Sequence, residues 1–114
     1  MISGQELFAE RDRIKKSLER SLTRSYDNGV DRAEKIRTYR ILLRQTMLQL
    51  EADGVKATIL KDIAKGEEAV ADAEYEMMVA EALYKASNDN IMAQKKLLES
   101  IEADIKREWG NQHG

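Results

Sequence analysis

The stretch VADAEYEMMVAEALYKASNDNIMAQKKLLESIEADI, residues 70–105, decides the fold. Val70, Met77, Tyr84, Ile91, Leu98 and Ile105 recur in it every seven residues. A strict heptad puts these apolar side chains on one stripe of a helix, which must then lie against something apolar along its length. A second column three residues on reads Ala73, Ala80 and Ser87, then Gln94, Ile101 and Glu108. Small residues beside the seam allow close approach of a partner helix, and the later, bulkier ones predict looser packing. Ser87-Asn88-Asp89-Asn90 are poor helix formers that favour caps and turns. The heptad crosses them without a slip, so the spacing predicts one continuous helix over about 67–109, roughly 65 Å long at ~1.5 Å per residue. Glu67 and Glu68 suit its opening amides and dipole, and Gly110 is expected to stop it, leaving 111–114 frayed.

Upstream, Ser3 and Glu6 have the spacing of a capping box, and Ile2 and Leu7 that of a hydrophobic staple. Leu7, Ile14, Leu18 and Leu22 give an apolar stripe for a first helix over about 4–26. Asp27-Asn28-Gly29 predicts its end, since Asn and Gly tolerate the left-handed conformation of a helix C-cap. Asp31 and Glu34 make a second capping box for a helix over about 32–53. On that helix Ile36, Tyr39, Leu43, Met47 and Leu50 share a face that Ile41, Leu42 and Leu48 widen, and Gly54 is its expected C-cap. Thr58 is the expected cap of a short helix, 59–65, ended by Gly66, with Ile59, Leu60 and Ile63 plugging the end of the bundle.

The chain of 114 residues has the size of one small domain, expected as a single helical domain over 1–110. The fold expected is all-α: a helical hairpin packed on one long C-terminal helix, as in a bundle or coiled coil. A hairpin of two helices of roughly 35 Å each covers only about half of the long helix. Ile91, Leu98, Ile101, Ile105 and Trp109 would then stand bare, each worth ~1.5–3 kcal/mol on burial. That geometry predicts a homo-oligomer, a dimer or higher, joined through residues 88–109. In the other geometry the first two helices lie end to end along the third and cover the stripe within one chain.

The chain has no proline and no cysteine. Long helices are therefore permitted, disulfides and thiolate metal sites are excluded, and a reducing compartment is expected. No apolar run approaches the ~20 residues needed to span a bilayer, and no secretion signal is visible. The expected location is the cytoplasm. Charge is unevenly placed: residues 1–50 carry eleven Lys/Arg against seven Asp/Glu, and residues 51–114 eight against fourteen. Complementary packing of basic on acidic helices accounts for this, and so does an anion-binding face on the first half.

Little in the chain suggests catalysis. The one histidine, His113, lies in the tail. There is no Gly-rich phosphate loop, no nucleophile–base pair and no Glu-x-x-His motif for a di-metal bundle site. Asp89-Asn90 is a fragment of a calcium loop without its glycine or terminal Glu. No cofactor is expected. The arginines are more informative. Arg37, Arg40 and Arg44 share a face of the second helix, and Arg13, Arg20 and Arg24, with Lys16 nearby, a face of the first. Guanidinium forks suit phosphates and carboxylates. This face is either solvated beside acidic neighbours or a site for a nucleotide or nucleic-acid backbone. Trp109 is either the terminal clamp of a helical interface or an anchor for another protein.

Glu6-Leu7-Phe8, Asn28-Gly29 followed by Arg32-Ala33-Glu34, Ala82-Leu83-Tyr84-Lys85-Ala86 and Arg107-Glu108-Trp109 together resemble short, helix-rich proteins of tailed phages and prophages of Gram-positive bacteria. The resemblance covers most of the chain and implies a viral accessory protein in a bacterial host cell. It carries over no activity and no site residue. The function expected is non-enzymatic: binding to another protein, such as a host factor or defence system that it inhibits. The alternative is binding or sequestration of an anion, nucleotide or nucleic acid by the arginine face.

Overall fold

A computed structural model describes residues 4–113, with side chains through residue 111. It is all-helical: α1 (Gly4–Ala52), the short α2 (Leu60–Gly66) and α3 (Glu68–His113). The described residues form two compact units. One combines the chain up to Tyr26 with the chain from Lys85 onward, and the other is Asp27–Tyr84. Ser3 and Ile2, with the capping box and staple expected of them, lie outside the described residues.

Three expectations about helix ends need correction. The predicted break at Asp27-Asn28-Gly29 does not occur, and α1 runs through it. Gly29 is not in the left-handed region, which among the described residues is reached by Gly54 alone, at φ 91°. Its missing side chain serves another purpose: a Cβ there would sit 3.1 Å from Cε1 of Tyr84. Asn28 turns outward from its own backbone, its amide donating to the Leu83 carbonyl at 3.4 Å. The second correction is at Gly110, through which α3 continues to His113.

Gly54 does end α1. The Gly54 amide donates to Glu51 O and the Val55 amide to Leu50 O, both at 3.0 Å. This is a Schellman closure, with glycine at the position that requires positive φ. Thr58 is not the cap of α2; Ile59 holds that place and no side chain caps the helix. Extended Glu67 (φ −66°, ψ 136°) closes α2. Its carbonyl also accepts the first bond of α3, from the Ala71 amide at 2.9 Å. Leu60 and Ala64 of α2 are buried, whereas Ile59 and Ile63 are exposed and plug nothing.

In the unit built from the chain ends, α1 and α3 run antiparallel. Leu7, Ile14 and Ile101 form its core, with Leu98 and Ile105 packed against them. Toward its other end the seam turns polar. Ser25 Oγ donates to Asn88 Oδ1 at 2.7 Å. The Asn90 amide donates to Ser21 Oγ at 3.0 Å, and the Gln94 amide donates to Ser21 Oγ at 3.0 Å and Ser17 Oγ at 3.1 Å. Ser21, Ser25 and Ser87 are buried. The stretch that threatened to break α3 thus supplies hydrogen-bonding rungs to serines spaced four apart on α1, which share one helix face.

The geometry behind the oligomer argument is overturned. Because α1 does not fold back at residue 27, its first part covers the stripe that a separate hairpin would have left bare. Ile91 and Ile101 are buried, and Leu98 and Ile105 pack on the core of their own chain. Of the residues expected to join copies, Trp109 alone is largely exposed, at 62%.

In the unit Asp27–Tyr84 the same two helices again run antiparallel. Arg32 Nη2 pairs with Glu81 Oε1 at 3.1 Å, Lys35 Nζ with Glu76 Oε2 at 3.7 Å, and Tyr39 Oη with Glu74 Oε2 at 2.6 Å. The Arg32 guanidinium also lies 5.8 Å from the centre of the Tyr84 ring, a cation–π distance. Val70, 1% exposed, is the most buried large side chain. 

The close approach at Gly29 is testable by a double-mutant cycle. Alone, Gly29→Ala should be near neutral, because about 1 kcal/mol of helix propensity is offset by displacement of the Tyr84 ring. In a Tyr84→Ala background the same change should stabilise by that full amount in denaturant melts. Equal effects in both backgrounds would refute the packing role.

Candidate anion groove

The Schellman turn and short α2 bring Lys61 back beside the last turns of α1. There Arg40, Leu43, Arg44, Met47 and Lys61 line an open groove of about 230 Å³. Arg40 and Arg44 stand one helical turn apart on α1, so their heads fall on the same side. Leu43 and Met47 are half-buried and form an apolar floor. No carboxylate lines the groove.

The charges around it fall into two sets. Arg32, Lys35 and Lys65 each face a glutamate: Glu81, Glu76 and Glu74. No carboxylate among the described residues pairs with Arg37, Arg40, Arg44 or Lys61. Arg40 and Arg44 thus stand on one side of α1, where α2 adds Lys61 as a third charge; Lys56, in the turn between α1 and α2, lies outside the lining. Of the arginines singled out in the sequence, Arg40 and Arg44 line the groove, and Arg37 lies outside its lining. Arg13, in the other unit, is paired with Glu10, and Arg20 and Arg24 are exposed on α1 there.

Beside the groove, Glu74 receives two partners. Tyr39 donates to its Oε2 at 2.6 Å, and Lys65 Nζ lies 3.4 Å from the same atom. The Tyr39 hydroxyl, then the Lys65 ammonium, hold the Glu74 carboxyl below its usual range. In return the hydrogen bond to Glu74, with burial and its negative charge, pushes the Tyr39 phenol from 10.0 to about 12. The cluster ties α1, α2 and α3 together at the end that holds the groove.

At the far end of the other unit, Gly4, Phe8, Ile105, Glu108 and Trp109 enclose about 30 Å³, room for one water. Arg11 lies over the Phe8 ring at 5.0 Å. Trp109 therefore flanks its own chain's α1, with most of its surface open. Among the described residues no three Asp, Glu or His side chains converge as metal ligands would, and no helix is long and apolar enough to cross a membrane. Lys61 and the apolar floor were not legible as site residues, because the course of α2 is set by the turn and by burial of Leu60 and Ala64.

The Tyr39–Glu74 pair predicts a pH response of definite sign. Stability from the raised phenol is fully present below about pH 10 and is lost as pH rises through about 12. Stability from the lowered Glu74 is present above the ordinary carboxylate range and is lost as pH falls through its depressed value. Tyrosinate absorbance should show one of the four phenols titrating near 12 in the native chain and lower in Glu74→Gln, where burial alone still raises it, and Tyr39→Phe should remove that step. An unchanged titration in either variant would contradict the assignment.

Compared with known proteins, the chain matches no family model, no curated protein and no solved structure.

Proposed function

We propose that the protein is a non-enzymatic binding protein that self-associates through the outward faces of its helices. The observation that carries this reading is a second apolar stripe on α3, opposite the one that faces α1. Tyr75, Met78, Val79 and Leu83 are 69%, 60%, 41% and 54% exposed. Their spacing of three and four residues puts them on one face, while Val70, Ala80 and Tyr84 turn to the other, buried or half-buried. A helix apolar on two sides calls for a neighbour on each.

A second copy supplies a matching surface. On the outward side of α1 in the same unit, Val30, Ile41 and Leu48 are exposed at 43%, 44% and 48%, with unpaired Arg37 among them. The α3 stripe is edged by Asp72 and Glu68. Apolar residues with an arginine against apolar residues with carboxylates give a contact complementary in both shape of sequence and charge. Side chains of this kind are worth about 1.5–3 kcal/mol each on full burial. Seven of them reach the range of the association cost, about 4–15 kcal/mol. The resemblance to phage helical proteins favours a viral accessory whose assembled form docks on a host factor, including a defence component.

Light scattering across a concentration series tests the self-association. The native chain is expected as a dimer or larger. Met78→Glu with Leu83→Glu should give a monomer of unchanged helicity by circular dichroism, and Arg37→Glu should weaken association at low salt. A native monomer at high concentration, or association indifferent to both stripes, would overturn the reading.

A further inference from the structure

We propose that the Arg40–Arg44–Lys61 groove binds a small phosphomonoester, holding the phosphate between the three cations and the organic body on Leu43 and Met47. Three features of the site converge on this class of ligand. The first is charge. Three cations from two helices face one groove that no carboxylate lines, and none has an acidic partner among the described residues. A phosphomonoester carries about −1.5 to −2 near neutral pH, so it matches them better than a single carboxylate does.

The second is donor geometry. Two guanidinium forks give parallel N–H pairs suited to phosphate oxygens, and the ammonium adds a point charge. The third is the floor. Half-buried Leu43 and Met47 give the ligand's carbon skeleton a surface to cover, which inorganic phosphate cannot use. The groove's volume of about 230 Å³ equals that of seven or eight liquid waters at ~30 Å³ each. It takes a phosphate with one ring or a short alkyl chain, and is below the ~300–1,000 Å³ typical of drug-sized ligands. Glu74, the acid of the neighbouring cluster, is held by Tyr39 and Lys65 and pairs with none of the three cations. The site stands apart from the α3 stripe Tyr75–Leu83 but adjoins Ile41 and Leu48 of the α1 surface, so the α3 variant Met78→Glu with Leu83→Glu removes association while leaving the groove intact, and phosphate binding is measured in that variant as well.

Titration calorimetry of the full chain at low salt, with phenyl phosphate, inorganic phosphate, a nucleoside monophosphate and an oligonucleotide lacking a terminal phosphate, tests the proposal. Phenyl phosphate should bind more tightly than inorganic phosphate. Arg40→Gln, Arg44→Gln and Lys61→Gln should each weaken it by about tenfold or more, the scale of one charge-assisted hydrogen bond, while Arg20→Gln leaves it unchanged. Met47→Gln should weaken phenyl phosphate and spare inorganic phosphate. Helicity by circular dichroism verifies that each variant is folded, and Arg44→Lys replaces Arg44→Gln if it is not. A nucleoside monophosphate that matches or exceeds phenyl phosphate supports the site and assigns it to nucleotides. No binding of any phosphate, an equal loss from Arg20→Gln, or binding of the oligonucleotide alone with a steep salt dependence would overturn it.

Discussion

The structure depends on α1 remaining unbroken. α1 is one helix of 49 residues, and within each unit a stretch of it packs on a stretch of α3. Within the unit of the chain ends, this continuity lets Leu7 and Ile14 reach Ile101, Leu98 and Ile105. Within the unit Asp27–Tyr84, it lets Arg32, Lys35 and Tyr39 meet Glu81, Glu76 and Glu74. An isolated helix gains little from propensity alone, so these contacts keep α1 intact across a sequence that otherwise favours a turn.

The polar seam contributes direction as well as cohesion. Buried serines opposite Asn88, Asn90 and Gln94 can form their hydrogen bonds in one register only, and a slip would leave polar groups buried without partners. A polar residue at a seam position commonly fixes register at some expense of stability. The apolar contacts around Leu7, Ile14 and Ile101 then supply the non-directional part of the packing.

The heptad on α3 was legible because six apolar residues repeat there without a slip, and the structure buries or half-buries each of them. Its partner face was legible at Leu7, Ile14 and Leu18 and not beyond them. Farther along, the α1 positions that meet α3 include Ser21, Ser25, Asn28, Arg32 and Lys35, so no apolar periodicity identifies that part. Leu22, Ile41 and Leu48, which looked like core, are exposed instead. Asn28 and Gly29 carried a true signal of unusual backbone or packing need, but its meaning was ambiguous. Glycine serves a left-handed turn and a close approach equally well, and here it makes room for the Tyr84 ring. At Gly54 the same residue type does end a helix, because nothing packs against it and φ is positive.

By itself the sequence determined helical class, the long heptad helix, the Gly54 stop and the arginine-rich character of α1, since each follows from local spacing or local conformational preference. Which surface covers the heptad, and which arginines gather with Lys61, only the tertiary structure decided. The first depends on residues such as Tyr39 and Glu74, 35 positions apart, or Ser17 and Gln94, 77 apart, finding each other, the second on the turn at Gly54 that returns Lys61 to Arg40 and Arg44, and the alternation of polar and apolar residues along one helix records that a neighbour exists without recording which neighbour it is.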